Sequence, residues 1–179
     1  MRAFPRACLL ALLPALAGCG YALEGRGVAV DPSIKRIGVP LFKDTTGKPG
    51  LDQRLTQKVV DELLKRGKFD VVQDTSGVDA VVEGQIVAYH AVPVGFSDTG
   101  AAGPSRTQAS RYAVTLTARI KYAKVGATEP IWENEAFSFR DEYDVGEDAA
   151  TFFDREDQAI DRLAASFARS LVAAMLEGF

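Results

Sequence analysis

The chain has very few of the residues on which reactive or cross-linked proteins depend. It holds two cysteines and one histidine among 179 residues. Both cysteines, Cys8 and Cys19, sit near the N-terminus. The rest of the chain therefore has no thiol to form a disulfide, attack a substrate or bind zinc, and packing alone must hold it. Long apolar runs are missing too. The longest, Ala7 to Ala17, has about eleven residues where a spanning helix needs roughly twenty. An excess of positive charge is also absent: 21 basic side chains face 24 acidic ones, for a net charge of −3. That balance excludes a general nucleic-acid binder. The chain contains no internal repeat and no low-complexity tract.

What is present begins at the N-terminus. Met1-Arg2-Ala3-Phe4-Pro5-Arg6 is basic, an apolar run follows, and Leu16-Ala17-Gly18-Cys19 ends it. A charged start, an apolar middle and small residues before a cut make a secretory signal. With cysteine after the cut, the stretch resembles the bacterial lipobox. The resemblance implies that Cys19 receives a diacylglycerol, that cleavage falls before it, and that its new amino group is acylated. Several acyl chains anchor stably where one is marginal. Residues 1–18 are then a cleaved signal peptide, 19–33 a lipidated cysteine with a short linker, and 34–179 a single domain. Losing residues 1–18 removes Arg2 and Arg6 and no acid, leaving 19 bases against 24 acids and a net charge of −5. In enteric lipoproteins an aspartate after the cysteine retains the protein at the inner membrane. Gly20 stands there, so the outer membrane is expected, with the domain facing the periplasm. The linker around Ala22-Leu23-Glu24-Gly25-Arg26-Gly27 is too short to carry a domain across a periplasm.

The domain reads as β-α-β-β-β-β-α. Ile34 to Phe42 is a first strand, closed by the turn cluster Asp44-Thr45-Thr46-Gly47-Lys48-Pro49-Gly50. Leu51 to Arg66 is a helix with Leu51, Leu55, Val59 and Leu63 at four-residue spacing. Phe69 to Gln73 and Ala80 to Val92 are strands, and Gly95 to Ser110 is a small-residue loop. In the next strand Val114, Leu116, Ala118, Ile120 and Tyr122 share one face, with Thr115, Thr117, Arg119 and Lys121 on the other. A one-sided pattern of this kind marks an antiparallel sheet covered on one face. In the strand Ile131 to Arg140, Glu133 and Glu135 fall in phase with Phe137 and Phe139, which predicts a bulge. Ala150 to Leu176 is a long helix. Two amphipathic helices and one-sided strands predict an α+β two-layer sandwich, with both helices on one face of a mostly antiparallel four- to five-stranded sheet. The first helix is a crossover, so strands one and two are expected to run parallel. A long last helix and a long central strand make the domain elongated.

From Cys19 onward the chain resembles the lipopolysaccharide-assembly lipoprotein family, LptE. The resemblance rests on Gly20-Tyr21-Ala22-Leu23 directly after the lipobox and on Ile37-Gly38-Val39-Pro40-Leu41-Phe42-Lys43-Asp44-Thr45-Thr46-Gly47. Gly50-Leu51-Asp52-Gln53-Arg54-Leu55-Thr56, Arg66-Gly67-Lys68-Phe69 and Trp132-Glu133-Asn134 extend it, with Phe167-Ala168-Arg169-Ser170-Leu171 and Leu176-Glu177-Gly178-Phe179 closing it. The resemblance implies two helices on a four-stranded sheet. It also implies a protein that sits in the lumen of the outer-membrane β-barrel LptD, plugs it, assists its assembly and contacts lipopolysaccharide. Val39-Pro40-Leu41-Phe42, Gly67-Lys68-Phe69-Asp70-Val71-Val72 and Ala80-Val81-Val82-Glu83-Gly84 also resemble curli-secretion lipoproteins and TolB-type N-terminal domains. An oligomeric secretion lipoprotein is thus the alternative.

No enzyme is expected. His90, on one strand face with Ile86, Ala88 and Val92, has no cysteine partner and reads as a packed or capped histidine. Glu133, Glu135, Asp141, Glu142 and Asp144 match no calcium loop and read as a solvated edge. Asp44-Thr45-Thr46-Gly47-Lys48 lacks the GxxxxGK[ST] spacing of a phosphate loop. Ser97, Ser105 and Ser110 sit on no nucleophile elbow. No cofactor or metal site follows from the sequence. Because lipopolysaccharide carries phosphates, the resemblance directs attention to Arg106 in the loop and to Arg111, Arg119 and Lys121, whose shared parity lines one stripe. Arginine binds phosphate bidentately and lysine as a point charge. The competing reading of this stripe is an ordinary solvated sheet face, with Glu83 as a neighbour. Phe96 is either a partner-facing aromatic or the end of the core.

Overall fold

The computed structural model describes residues 31–98, 107–146 and 150–177. The elements run β1 (Arg36–Gly38), β2 (Lys43–Asp44), α1 (Leu51–Lys65), β3 (Asp70–Val72), β4 (Ala80–Asp98), β5 (Thr107–Lys124), β6 (Trp132–Asp144) and α2 (Ala150–Glu177). They form one sheet in the order β3-β1-β4-β5-β6, with β2 on β4. β1 pairs in parallel with β3 and β4, and β2 in parallel with β4. The long β4–β5 and β5–β6 pairs are antiparallel. Both helices pack on one face, so the architecture is the expected α+β sandwich.

α1 forms because its apolar residues recur every turn. Leu51, Leu55, Val59 and Leu63 are all essentially inaccessible to solvent. Lys65 lies in the last turn, where positive charge suits the helix dipole. Gly67 then takes φ 64°, the left-handed conformation that ends a helix without a Cβ clash. α2 spans 28 residues, about 42 Å at 1.5 Å each. Its buried stripe includes Ile160, Leu163, Phe167, Leu171 and Met175. Arg54 of α1 reaches Asp157 and Asp161 of α2 at 3.4 and 3.6 Å, tying the helices side by side. From the sheet, Ile37, Val82, Ile86, Val114, Leu116, Ile120 and Tyr122 complete the same core.

Four local expectations need correcting. The first strand is split: β1 ends at Gly38, and the chain re-enters the sheet only at Lys43–Asp44. Between them, Phe42 turns into the core and Leu41 outward, at 1% and 54% exposure. The loop predicted over Gly95 to Ser110 is strand at both of its described ends, because β4 and β5 continue their pairing out to Asp98 opposite Thr107. Small residues there are compatible with a ladder whose bonds come from the backbone. β6 likewise runs past Arg140 to Asp144.

The fourth correction concerns parity. Ile86 faces Ala118 but Ala88 faces Thr117, so Val87 is an extra residue in β4. A bulge of this kind switches the faces of everything beyond it. Ala88, His90 and Val92 therefore leave the face of Ile86, and Tyr89 takes the helix side. The bulge expected in β6 is present. The β5–β6 register shifts between Ala118 and Ile120. Phe137 and Phe139 consequently pack against Phe167 of α2 at 5.2 and 5.6 Å between ring centroids, while Glu133 and Glu135 are exposed.

Candidate functional site on the open sheet face

The face of the sheet away from the helices is built by cross-strand register. Alternate residues of β5 point away from the core, which places Arg111, Arg119 and Lys121 on this face as the parity predicts. Arg106 and Cys19 lie outside the described residues. Register also decides what the three cations meet. Arg111 stands opposite Asp144, and Lys121 stands between Glu83 of β4 and Glu133 of β6. The Arg111 Nε donates to Asp144 Oδ1 at 2.7 Å, and the Arg119 Nε lies 3.1 Å from Glu135 Oε2. The hydrogen bond and charge of Asp144 raise the Arg111 pKa further above its ordinary value. Arg140 and Glu142 extend the ladder at 2.8 Å. The stripe is thus a row of cations alternating with carboxylates.

At one end of this face lies a groove of about 360 Å³, lined among others by Leu41, Lys43, Glu83, Arg119, Lys121 and Glu135. Lys43 is a site residue that sequence reasoning missed. It reaches the groove only because β2 pairs with β4 at Gln85, a long-range pairing without a local signal. A second groove, of about 430 Å³, is lined by Leu41, Gln53, Thr56, Gln57 and Gln73.

The remaining candidates separate. The five carboxylates of β6 do not converge. Asp141 lies on the helix side, where Arg162 of α2 donates to it at 2.9 Å, whereas Glu135 and Asp144 pair on the open face. Among the described residues no three His, Cys, Asp or Glu side chains form a cluster able to hold a metal. His90 is exposed opposite Thr115. Asp44-Thr45-Thr46 closes on itself as a turn, with the Thr46 N–H and hydroxyl both donating to Asp44 Oδ1 at 2.7 Å. Phe96 is 62% exposed, so it faces solvent and does not end the core. Val92 and Val94 are exposed beside it. None of the described helices is long and apolar enough to cross a membrane.

The molecule is thus an elongated α+β sandwich with one helix-covered face and one open, ion-paired face. The model of the lipopolysaccharide-assembly family LptE matches residues 34–175, and the chain belongs to this family. Among solved structures it is similar to a Xanthomonas campestris protein at 13% identity, covering 81% of this chain and 85% of that one with a TM-score of 0.53. It is also similar to a hypothetical protein of Chlamydia trachomatis at 9% identity, covering 82% and 98% with a TM-score of 0.51. These two likenesses are of fold. No curated protein matches the chain.

Proposed function

We propose that this chain is an outer-membrane lipoprotein, held facing the periplasm by lipid on Cys19, that partners and plugs an outer-membrane β-barrel of the LptD type. In that position it assists barrel assembly and the delivery of lipopolysaccharide to the outer leaflet. The observation that carries this reading is the family match across residues 34–175. Residues 1–18 are then the cleaved signal, 19–33 the tether, and 34–179 the working domain. The protein acts by occupancy and contact, with no bond-making step, cofactor or nucleic acid.

Two physical features support the reading. The apolar band of an outer-membrane barrel is about 25 Å tall around a polar interior. α2 is about 42 Å long and so exceeds that height. An exposed sheet face covered by ion pairs suits a polar, hydrated lumen better than an apolar one would.

Arg106, Arg111, Arg119 and Lys121 are the proposed lipopolysaccharide contacts. Arg111 bonds its carboxylate through Nε, which leaves the paired terminal nitrogens for a phosphate to bind bidentately. Replacing Arg111, Arg119 and Lys121 together should weaken lipopolysaccharide binding and leave folding intact. Exposed ion pairs of this kind are screened by solvent and contribute little to stability. Unchanged binding by a folded triple variant rejects the site. The function itself is tested by depletion: surface lipopolysaccharide should fall and barrel maturation should stall. If both continue normally, the reading is wrong.

A further inference from the structure

We propose that Lys48, Glu156 and Tyr89 form a latch that sets the direction of the distal half of β4, residues Ala88–Asp98, by clamping the strand at its bulge. This inference stands apart from the identity of any partner. It starts from a buried charge that nothing on the open face uses. Glu156, in the early turns of α2, is 7% exposed. Its carboxylate accepts from the Tyr89 hydroxyl at 2.7 Å and lies 2.9 Å from the Lys48 ammonium. Lys48 also lies over the Tyr89 ring, 5.4 Å from its centroid. Burial pushes the Glu156 carboxyl up. The hydrogen bonds from Lys48 and Tyr89 and the Lys48 charge outweigh burial, so its pKa ends below the ordinary value and the group is ionised.

The placement of these contacts makes the cluster more than a buried ion pair. β4 carries its extra residue at Val87, between Ile86 and Ala88. One loop, between β2 and α1, grips the strand on both sides of that point. On the near side, Thr45 donates to the Ile86 carbonyl twice, through its N–H at 3.1 Å and its hydroxyl at 2.8 Å. On the far side, Lys48 and Glu156 hold Tyr89. Beyond Tyr89 the strand leaves the core: His90 through Val94 and Phe96 through Asp98 are all exposed. Its pairing to β5 shifts register twice more, between Pro93 and Gly95 and between Gly95 and Phe96. Bulges bend the strand that carries them and increase its twist. Neither described helix has an extensive contact with β4, so beyond the two flanks of Val87 this segment is held by its pairing with β5. Val92, Val94 and Phe96, its exposed apolar side chains, then point where the latch directs them.

Tyr89→Phe and the double variant Lys48→Met/Glu156→Gln test this in the folded protein by amide hydrogen exchange. Tyr89→Phe removes only the hydroxyl, and the double variant removes the charges as a pair so that neither is left buried alone. The latch predicts exchange faster by about tenfold in Ala88–Asp98, the factor expected for losing one charge-assisted hydrogen bond. Exchange in α1 and β3 should be unchanged. A uniform increase across the domain would show that the cluster only adds stability, and no increase would show that it holds nothing. Either result overturns the proposal.

Discussion

Thr56 shows how much one polar atom can organise. It is 3% exposed in the middle of α1. Its hydroxyl donates to the Asp52 carbonyl at 2.7 Å and accepts from the Phe42 N–H at 3.0 Å. The second bond fixes the chain between β1 and β2, where Phe42 enters the core. Thr56→Val keeps the shape and leaves that N–H unsatisfied, which should cost about 1–3 kcal/mol in chemical denaturation. The buried tyrosines carry a prediction of opposite character. The hydroxyls of Tyr122 and Tyr143 are buried without a hydrogen-bond partner among the described residues. Burial pushes both up from 10 to about 12, Asp31 adding to the shift at Tyr122 and Glu156 to that at Tyr143. A tyrosine raised in the folded state contributes stability that is whole below pH 10 and drains away as pH climbs through about 12. Denaturation midpoints should therefore fall across that interval, and fall less in the Tyr122→Phe/Tyr143→Phe double variant. Equal alkaline loss in both proteins would remove these tyrosines as its cause.

The elements differ in how far the sequence announces them. α1 and α2 are legible because their apolar residues recur with a helical period, and the inner half of β5 because its alternation is unbroken. β4 is legible only as far as Ile86. One extra residue at Val87 reverses the side chains that follow it, as far as the next register shift after Pro93, and no local pattern separates a bulge from a simple continuation. In β6 the bulge does leave a trace, because Glu133 and Phe137 cannot share a buried face. The split of the first strand is hidden for another reason: Ile37, Val39 and Leu41 alternate correctly, yet Leu41 ends up exposed. Gly84 supplies part of the cause. A Cβ there would come within 2.6 Å of the Phe42 ring, so the bare backbone of β4 gives Phe42 its place. The proposed site was half legible. Parity placed Arg111, Arg119 and Lys121 on one face. Their carboxylate neighbours and Lys43 required the pairing of distant strands.

For the whole molecule, the fold separates two tasks between two faces. The helices and half of each long strand enclose a continuous core. The open face is free to present alternating charge, and the distal part of β4 to present apolar side chains. The N-terminal end of the described chain is tied down at Asp31, whose carboxylate lies 2.8 Å from Lys124 at the end of β5. Thr107, the start of β5, lies 17 residue steps away, about 56 Å at 3.3 Å each. Asp31 therefore sits at the opposite end of the molecule from the β4–β5 tip, as suits the proposed domain held at one end by its lipid and making contact along its length. In the proposed function this length lies against a barrel. Affinity purification of the tagged, full-length chain from detergent-solubilised outer membranes, with intact-complex mass measurement, tests it directly. A single large β-barrel protein should be recovered, at one copy per copy of this chain. Recovery of the chain alone, or as a ring of identical copies without a barrel, would contradict it.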